Sequence, residues 1–198
     1  MRKMKTTRSS WVTLSLVLLF LLAISSSTYQ LIVKKCVWWT CAPVRSFTVY
    51  DLSLPNEFFP GDNGMSPLYP DRGIIEAVEE VRSTASWKGG GAIYKVLRFG
   101  TEKQAIEWYS VEVGLDLFTD SPINLPDFSG LTLYKNSVPD ESKVNCGFVL
   151  EDFRCVYWAR YHEFFIFFSS SIDNDELRTD DFIQILDYIN ERVESLLM

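Results

Sequence analysis

The stretch from Cys146 to Ile172, CGFVLEDFRCVYWARYHEFFIFFSSSI, restricts the fold more than any other part of the 198-residue chain. It is the densest run of aromatic and β-branched residues, which favour strands, and this argues against the alternative of one long buried helix. Polar interruptions at 151–152 and 161–163 divide it, so it predicts an antiparallel meander of three strands. The five apolar residues Phe164 to Phe168 indicate a central strand covered on both faces.

The middle strand of this meander has two different faces, because successive side chains of a strand point to opposite sides. One face carries Phe153, Cys155, Tyr157, Ala159 and Tyr161. The other face carries Arg154, Val156, Trp158 and Arg160. We therefore expect the first face to be the more apolar one.

The spacing of Cys146 and Cys155 links the strand register to a disulfide. If residues 149–152 form a four-residue loop, the two cysteines lie directly opposite each other and can be bridged. If a two-residue turn at 151–152 instead pairs Leu150 with Phe153, Cys146 faces Tyr157 and the bridge becomes awkward. The register and the disulfide are therefore one hypothesis.

The chain has four cysteines, an even number that is normally paired in an exported protein. Four cysteines allow three connectivities, and we expect the pairs Cys36–Cys41 and Cys146–Cys155. A zinc site built from all four thiolates is the functional alternative. The intervals of four and eight residues within the pairs differ from the tight spacing of zinc knuckles, which argues against it.

Residues 9–33 contain no charge and lie between a basic start and Lys34-Lys35. With a rise of about 1.5 Å per residue, a helix over 11–33 spans roughly 34 Å, enough to cross a bilayer core with some tilt. Trp11 at one end and Trp38-Trp39 at the other suit membrane interfaces. The alternative is a cleaved signal peptide with its cleavage site at the serines 25–27. We prefer the uncleaved anchor because residues 31–33 are apolar again.

Charge asymmetry around this segment predicts its orientation. Four basic residues precede it and two follow it, which favours a cytoplasmic N-terminus and a domain outside the cell membrane. The chain then divides into a basic cytoplasmic tail (1–10), a membrane segment (11–33), a tether (34–45) and one extracytoplasmic domain (46–198). The alternative location, after cleavage, is secretion.

The part of the chain after residue 33 is strongly acidic. Of the 19 basic residues four precede it, which leaves 15 against 26 acidic residues and a net charge of −11. Such a domain repels nucleic acid and anionic lipid, whose phosphates require a basic surface. We therefore expect no nucleic-acid partner, and solubility is the simplest role of the acidic surface.

The segment before residue 84 is harder to interpret. Residues 46–54 alternate as a first strand that Pro55 ends. Residues 55–73 contain four prolines and form a long loop, whose apolar side chains we expect to cover an edge or end of the core: Phe58, Phe59, Met65, Leu68 and Tyr69. Residues 73–83 predict either a short amphipathic helix or a strand-like connector.

The segments that follow have clearer signals. The triple glycine 89–91 precedes a strand over 92–99, so it indicates a tight turn and not a phosphate loop. Thr101 and Gln104 form a capping box for a helix that reaches Val113. We expect its sheet-facing residues to be Ala105, Ile106, Trp108, Tyr109 and Val113. Residues 131–135 are a candidate strand, and a final amphipathic helix over 179–197 begins at an N-cap of Thr179 or Asp180.

The sequence contains few groups for catalysis. The one histidine, His162, lies in a predicted turn beside Glu163, where a solvated side chain is expected, and histidine-based triads would depend on it. Motifs of serine hydrolases, zinc peptidases and nucleotide-binding proteins are missing from the sequence. The acids at 173–181 lack the spacing of a calcium loop and are better explained by helix capping. We therefore assign no catalytic, cofactor-binding or metal-binding residues, and we expect no cofactor.

Four blocks occur in a suggestive order: Leu54 to Pro60, Ile93 to Tyr109, Arg154 to Tyr161 and Phe182 to Leu197. Their order resembles that of uncharacterised bacterial proteins in which one N-terminal hydrophobic segment carries one extracytoplasmic α+β domain. The resemblance covers most of the domain and implies a location and a fold type. It implies no activity and no site residues.

These observations predict an α+β fold: an antiparallel sheet of five or six strands, packed by two or three helices and preceded by one transmembrane helix. The expected function is a membrane-tethered extracytoplasmic binding or interaction domain, with the membrane and an envelope protein as candidate partners. The alternatives are a carboxylate-dependent envelope hydrolase and a cleaved, secreted structural protein.

Overall fold

In the computed structural model, one long apolar helix comes first in the chain, and a six-stranded antiparallel sheet with its helices follows it. The fold is α+β, as predicted. The structure describes residues 8–60, 64–71, 73–115, 117–118, 134–150, 152–173 and 177–198. The helices are α1 (Arg8–Val33), α2 (Glu102–Gly114) and α3 (Thr179–Leu197). The strands are β1 (Tyr69–Pro70), β2 (Ala77–Trp87), β3 (Gly90–Phe99), β4 (Glu141–Val149), β5 (Asp152–Tyr161) and β6 (Phe164–Ser171).

The strand order in the sheet is β1-β2-β3-β6-β5-β4. Strand β6 therefore lies between β3 and β5 and is central, as the apolar run Phe164 to Phe168 predicts. Four residues of this run are buried and Phe167 is half-buried. The triple glycine also has its predicted role, since Gly89 lies in the β2–β3 turn with a φ of 93°.

The predicted register of the first hairpin is confirmed. Cys146 lies opposite Cys155 and Phe148 opposite Phe153, so the alternative register with Leu150 opposite Phe153 is wrong. Pairing continues to Val149 and Asp152, which shortens the predicted four-residue loop to a two-residue turn. Leu150 has a φ of 60° there, as tight hairpin turns require.

Helix α3 covers the more apolar face of the sheet. The predicted face of β5 points into this core, where Tyr157 and Tyr161 are buried, and Phe168 of β6 stacks on Phe182 at 5.2 Å between ring centroids. The helix has the predicted bounds, but the prediction of Thr179 or Asp180 as N-cap is wrong, because the N-cap is Arg178. Its backbone N–H donates to the Asp181 carboxylate, so an acid of the first turn supplies the cap.

Helix α2 covers the opposite face, where Ala105 packs in a second core with Leu97, Trp158 and Phe165. The predicted capping box is present: Gln104 N–H donates to Thr101 Oγ1 at 3.1 Å, and Thr101 N–H donates to Gln104 Oε1 at 3.0 Å. The prediction that Ile106 faces the sheet is wrong, because its side chain is 39% exposed, whereas Ala105 is fully buried.

The prediction of a first strand over 46–54 is wrong. Val49–Leu52 forms a 3-10 turn instead. The Asp51 carboxylate accepts hydrogen bonds from Thr48 N–H at 2.7 Å and from Thr48 Oγ1 at 2.9 Å. Such local side-chain bonds compete with a strand ladder and favour turns. Val49 and Leu52 are nevertheless buried under α3, which explains the strand-like apolar pattern.

The helical interpretation of residues 73–83 is also wrong, because β2 begins at Ala77 and pairs with β3 along its length. A bulge between Ala77 and Glu79 interrupts the pairing and disturbs the alternation that would reveal a strand. The proline-rich loop covers the core edge as predicted through Phe59 and Met65, while Tyr69 is exposed. The candidate strand at 131–135 lies mostly outside the described residues, and Tyr134 and Lys135 are not in a strand.

Candidate functional site

Helix α1 ends where the domain begins. The N–H groups of Lys34 and Cys36 both donate to the Gln30 carbonyl, at 3.0 and 3.4 Å, and Lys35 has a φ of 53°. Two amides that converge on one carbonyl next to a left-handed residue are typical of a helix C-terminal cap. The helix therefore stops at a defined residue, and the chain turns directly onto the sheet.

Both predicted disulfides are present, Cys36–Cys41 and Cys146–Cys155, so the zinc alternative is wrong. The first disulfide closes a small loop at the end of α1, which contains the 3-10 turn Trp38–Thr40. Trp39 in this loop is 89% exposed. The disulfides fit an oxidising compartment.

The predicted tether is docked on the domain. Ala42 N–H donates to the Gly100 carbonyl at 2.7 Å, and Lys35 Nζ donates to the Ala77 carbonyl at 2.7 Å. A Cβ added to Gly100 would lie 2.0 Å from the Lys34 carbonyl oxygen. Only glycine permits so close an approach, so the end of α1 and the β3–α2 corner are in direct contact.

A buried ion cluster lies beneath this segment. Glu163, 1% exposed, accepts two hydrogen bonds from Arg45 at 2.8 and 2.9 Å, and Arg98 Nη2 lies 3.7 Å from it. The hydrogen bonds to Glu163 raise the pKa of Arg45, which keeps the guanidinium charged. Arg98 also donates to the Pro43 carbonyl at 2.9 Å. A buried carboxylate needs such partners, and here they join the tether to the sheet.

A cleft of about 290 Å³ opens between the end of α1, the tether and strands β2 and β3. We call it the membrane-proximal cleft because it lies at the end of α1, which is the candidate membrane span. Its apolar lining includes Tyr29, Val33, Val44 and Val78, and its charged lining consists of Lys34, Arg45, Glu79 and Arg98. Glu79 Oε2 is buried and, among the described residues, has no hydrogen-bond donor; Arg98 Nη1 is 3.9 Å away. The cleft therefore presents both signs of charge beside an apolar wall.

A second polar cluster surrounds Arg160 at the same end of the sheet. Its Nη1 lies 2.9 Å from Asp140 Oδ2 and 3.3 Å from Glu102 Oε1, and its Nε donates to Glu141 at 3.0 Å. Glu102, Asp140 and His162 have ligand atoms within 4.8 Å of one another. Because Arg160 already places a cation between the two acids, this grouping is explained as an ion-pair network. His162 is exposed in a turn, as expected.

Several ionisable groups have pKa values shifted by burial. Burial raises the pKa of Tyr94, Tyr157 and Tyr161, and Tyr157 and Tyr161 both donate to Asn190 Oδ1 of α3, at 3.2 and 2.8 Å. Tyr157 and Tyr161 are neutral hydroxyls that hold α3 on the sheet, while the Tyr94 hydroxyl donates to the Leu52 carbonyl at 2.9 Å. Burial also raises the pKa of Glu112 on α2, which lines neither the membrane-proximal cleft nor the cleft beside Glu80.

The carboxylate hydrolase predicts an acid that is buried in a cleft and has a raised pKa. Glu163 is the most buried acid but is paired with two arginines, and the next is Glu80. It is 8% exposed and lines a cleft of about 540 Å³ at the sheet edge. Its Oε2 accepts a hydrogen bond from Ile74 N–H at 2.9 Å, which holds the loop before β2. Hydrolysis needs a second carboxylate in a complementary role. Asp71 and Glu79 also line this cleft, and the hydrolase stays a hypothesis.

Sequence reasoning identified the cysteines and the end of the apolar segment but missed Arg45, Glu79, Arg98 and Glu163. The structure brings these together from the tether, β2, β3 and the β5–β6 turn. Arg45 and Glu163 are 118 residues apart, so no local pattern connects them. The one available signal in the sequence was the position of Glu163, a charged residue directly before the apolar run of β6.

No family model matches the chain, and no curated protein or solved structure matches it either. The fold and the junction alone define the class of protein. It is an α+β domain with two disulfides, joined without a free linker to a helix long and apolar enough to cross a membrane, Leu14–Val33, of mean hydropathy 2.0. A cleaved signal sequence has the same length and composition.

Proposed function

We propose that the protein is a membrane-tethered extracytoplasmic binding domain, anchored by α1 with its N-terminus in the cytoplasm. One observation carries the proposal: the domain leaves the apolar surface of α1 uncovered. Its large apolar side chains from Leu14 to Val33 are exposed by between 47% at Ile24 and 68% at Ile32. A bilayer stabilises such a surface, since the free energy of an exposed apolar helix in water is unfavourable.

The residues that follow serines 25–27 favour an uncleaved helix over a cleaved signal peptide. Leu31, Ile32 and Val33 are 60%, 68% and 48% exposed, and cleavage near Ser27 would leave them in water. The cap at Gln30 also ties the last turn of α1 to Cys36. The proposed orientation is supported by the basic residues before the helix and by the disulfides, which persist outside the cytoplasm.

A binding role fits the chemistry of the junction better than catalysis does. The buried acid of the ion cluster, Glu163, is held by two arginines, and the acids around Arg160 are held by that side chain. Groups in such pairs are not available as general bases. The membrane-proximal cleft, in contrast, is open and lined by both charges and apolar side chains, as ligand sites are.

The test is the mass and fractionation of the native full-length chain, taken without reductant. We expect an intact N-terminus in the membrane fraction and a mass four hydrogens below that of the reduced chain, two for each disulfide. A C-terminal alkaline phosphatase fusion should be active, because that reporter folds only outside the cytoplasm. A soluble product that begins near Ser27, or an inactive fusion, would contradict the proposal.

A further inference from the structure

The membrane-proximal cleft has one wall made by the last turn of α1. Tyr29 and Val33 form this wall and are 57% and 48% exposed, and Val44 of the tether, 88% exposed, also lines the cleft. If α1 crosses the bilayer, its last turn lies at the boundary between acyl chains and headgroups. The cleft is therefore continuous with the lipid surface, which makes a lipid its nearest occupant. This step rests on the proposed membrane anchorage.

The charges of the cleft are arranged in a way that selects the kind of lipid. Arg45 donates two hydrogen bonds to Glu163 and Arg98 lies 3.7 Å from the same carboxylate, so these three groups together keep one positive charge. Lys34 adds a second cation to the lining of the cleft. Lys34 is exposed, and Arg98 is only 18% exposed. Glu79 supplies the anion, and its Oε2 lies beyond hydrogen-bond distance of Arg98, at 3.9 Å. A ligand with one negative and one positive group matches this set, and the acidic domain as a whole disfavours a purely anionic lipid.

We propose that the membrane-proximal cleft binds the headgroup of a zwitterionic phospholipid, with its phosphate beside Lys34 and Arg98 and its ammonium beside Glu79. A volume of about 290 Å³ accommodates a headgroup and not a whole lipid. The acyl chains then follow the apolar wall of Tyr29 and Val33 into the bilayer. A phosphoethanolamine headgroup has an ammonium that donates hydrogen bonds, which the Glu79 carboxylate, on a side chain that is 38% exposed, can accept.

The experiment measures binding of short-chain phospholipids to the full-length protein in a non-ionic detergent by titration calorimetry. The probes are dihexanoyl phosphatidylethanolamine, dihexanoyl phosphatidylglycerol and the soluble headgroup glycerophosphoethanolamine. We expect the zwitterionic lipid to bind about fivefold more tightly than the anionic one, the ratio that one favourable exposed charge contact provides. We expect the free headgroup to bind weakly because it lacks the apolar contacts.

Two variants and two matched controls separate the cleft from general charge effects. Lys34→Gln should weaken both lipids about fivefold, and Glu79→Gln should remove the preference for the zwitterionic lipid. Lys103→Gln and Glu76→Gln change the charge equally at exposed positions outside the cleft and should bind like the wild type. Thermal unfolding of Lys34→Gln verifies folding, since this exposed side chain lines the cleft without supporting the core.

Three results would overturn the inference: equal binding by all variants, a free headgroup that binds as tightly as the lipid, or no saturable lipid binding. None of these results contradicts the proposed membrane anchorage, because fractionation and the reporter fusion test the anchorage separately. A soluble, cleaved protein that still binds the zwitterionic lipid would overturn the proposed anchorage and leave the cleft assignment standing.

Discussion

Glu163 is the residue on which the junction depends most. Its side chain is 1% exposed and lies between Arg45 of the tether and Arg98 of β3. Its backbone carbonyl also accepts a hydrogen bond from Phe99 N–H at 2.9 Å. One residue in a two-residue turn therefore links the tether, β3 and β6.

Replacing this carboxylate tests the link. Glu163→Gln leaves two arginines without a buried counter-charge, and we expect it to lower the free energy of unfolding by about 2 kcal/mol. This is less than for a fully buried pair, because Arg45 and Arg98 keep 17% and 18% of their side-chain exposure. Urea denaturation measures the effect. Glu107→Gln, which breaks only the exposed pair with Lys103, is the control and should cost less than about 0.5 kcal/mol. Equal losses in the two variants would show that the cluster does not stabilise the fold.

Tyr109 makes the free energy of unfolding depend on pH in the alkaline range. Burial against the sheet, with a smaller contribution from the charge of Glu141, raises the pKa of Tyr109 to about 12. The unfolded chain has a tyrosine pKa of about 10, so the folded state holds this proton more tightly. The stabilising contribution is therefore complete below pH 10 and is lost as the pH rises from 10 to 12.

The comparison with Tyr109→Phe isolates this contribution. Between pH 10 and 12 the variant should lose stability less steeply than the wild type, because it has no hydroxyl to ionise there. Guanidinium denaturation at half-unit intervals of pH provides the measurement. Parallel curves for the two proteins would contradict the assignment.

At the scale of elements, the contact between α1 and the β3–α2 corner determines how the helix meets the domain. The corner is formed by Gly100, followed directly by the capping box of α2, and Gln104 Nε2 donates to the Lys35 carbonyl at 3.1 Å. Residues that cap α2 thus also hold the end of α1. The capping box could be predicted from its four-residue spacing, but its second role could not.

A single methyl group tests this contact. Gly100→Ala would place a Cβ 2.0 Å from the Lys34 carbonyl oxygen, so the end of α1 must move, and we expect a loss of about 2 kcal/mol. Gly114→Ala is the matched control: no heavy atom lies within 4 Å of its added Cβ, and alanine favours the helix. Denaturation in detergent and limited proteolysis of the tether report the change. If Gly100→Ala proved as stable and as protease-resistant as Gly114→Ala, the helix would not be docked as described.

At the scale of the whole molecule, the disulfide loop extends the apolar surface of α1 onto the domain. Trp39 is 89% exposed, and Thr40 holds its turn through hydrogen bonds with Val37. Tryptophan prefers the headgroup region of a bilayer. The Cys36–Cys41 disulfide closes this loop directly after α1. The loop therefore lies at the depth of the headgroups if α1 crosses the bilayer.

Fluorescence in vesicles measures the depth of Trp39. The fluorescence of Trp39 is obtained as the difference between the emission of the wild type and that of Trp39→Phe. We expect lipids brominated near the headgroup to quench this fluorescence. Aqueous iodide should quench the Trp39 fluorescence less in the vesicle-bound protein than in a peptide of the loop dissolved in water. Trp87→Phe, at the other end of the sheet in the β2–β3 hairpin, should leave the lipid quenching unchanged. A Trp39 signal that iodide quenches fully in vesicles would place the loop in water.

Much of the fold could be predicted because its determinants are local. Aromatic alternation, two polar interruptions and the spacing of two cysteines identified the meander, its central strand and its register. A capping box identified α2, and a continuous apolar stripe identified α3. The predictions failed where local bonds or a bulge disturbed the pattern, at Thr48–Asp51 and at Val78. There the same apolar spacing fits more than one secondary structure.

The sequence by itself determined the apolar helix, the disulfide pairs, the strand meander and the acidic surface, because each depends on neighbours along the chain. Only the tertiary structure decided that the tether is docked, that Glu163 is buried between two arginines, and that α1 and two strands enclose a cleft. These features join residues that are tens of residues apart, as Arg45 and Glu163 are. Contacts of this kind arise from how the sheet and helices pack, and no periodicity in the sequence encodes them.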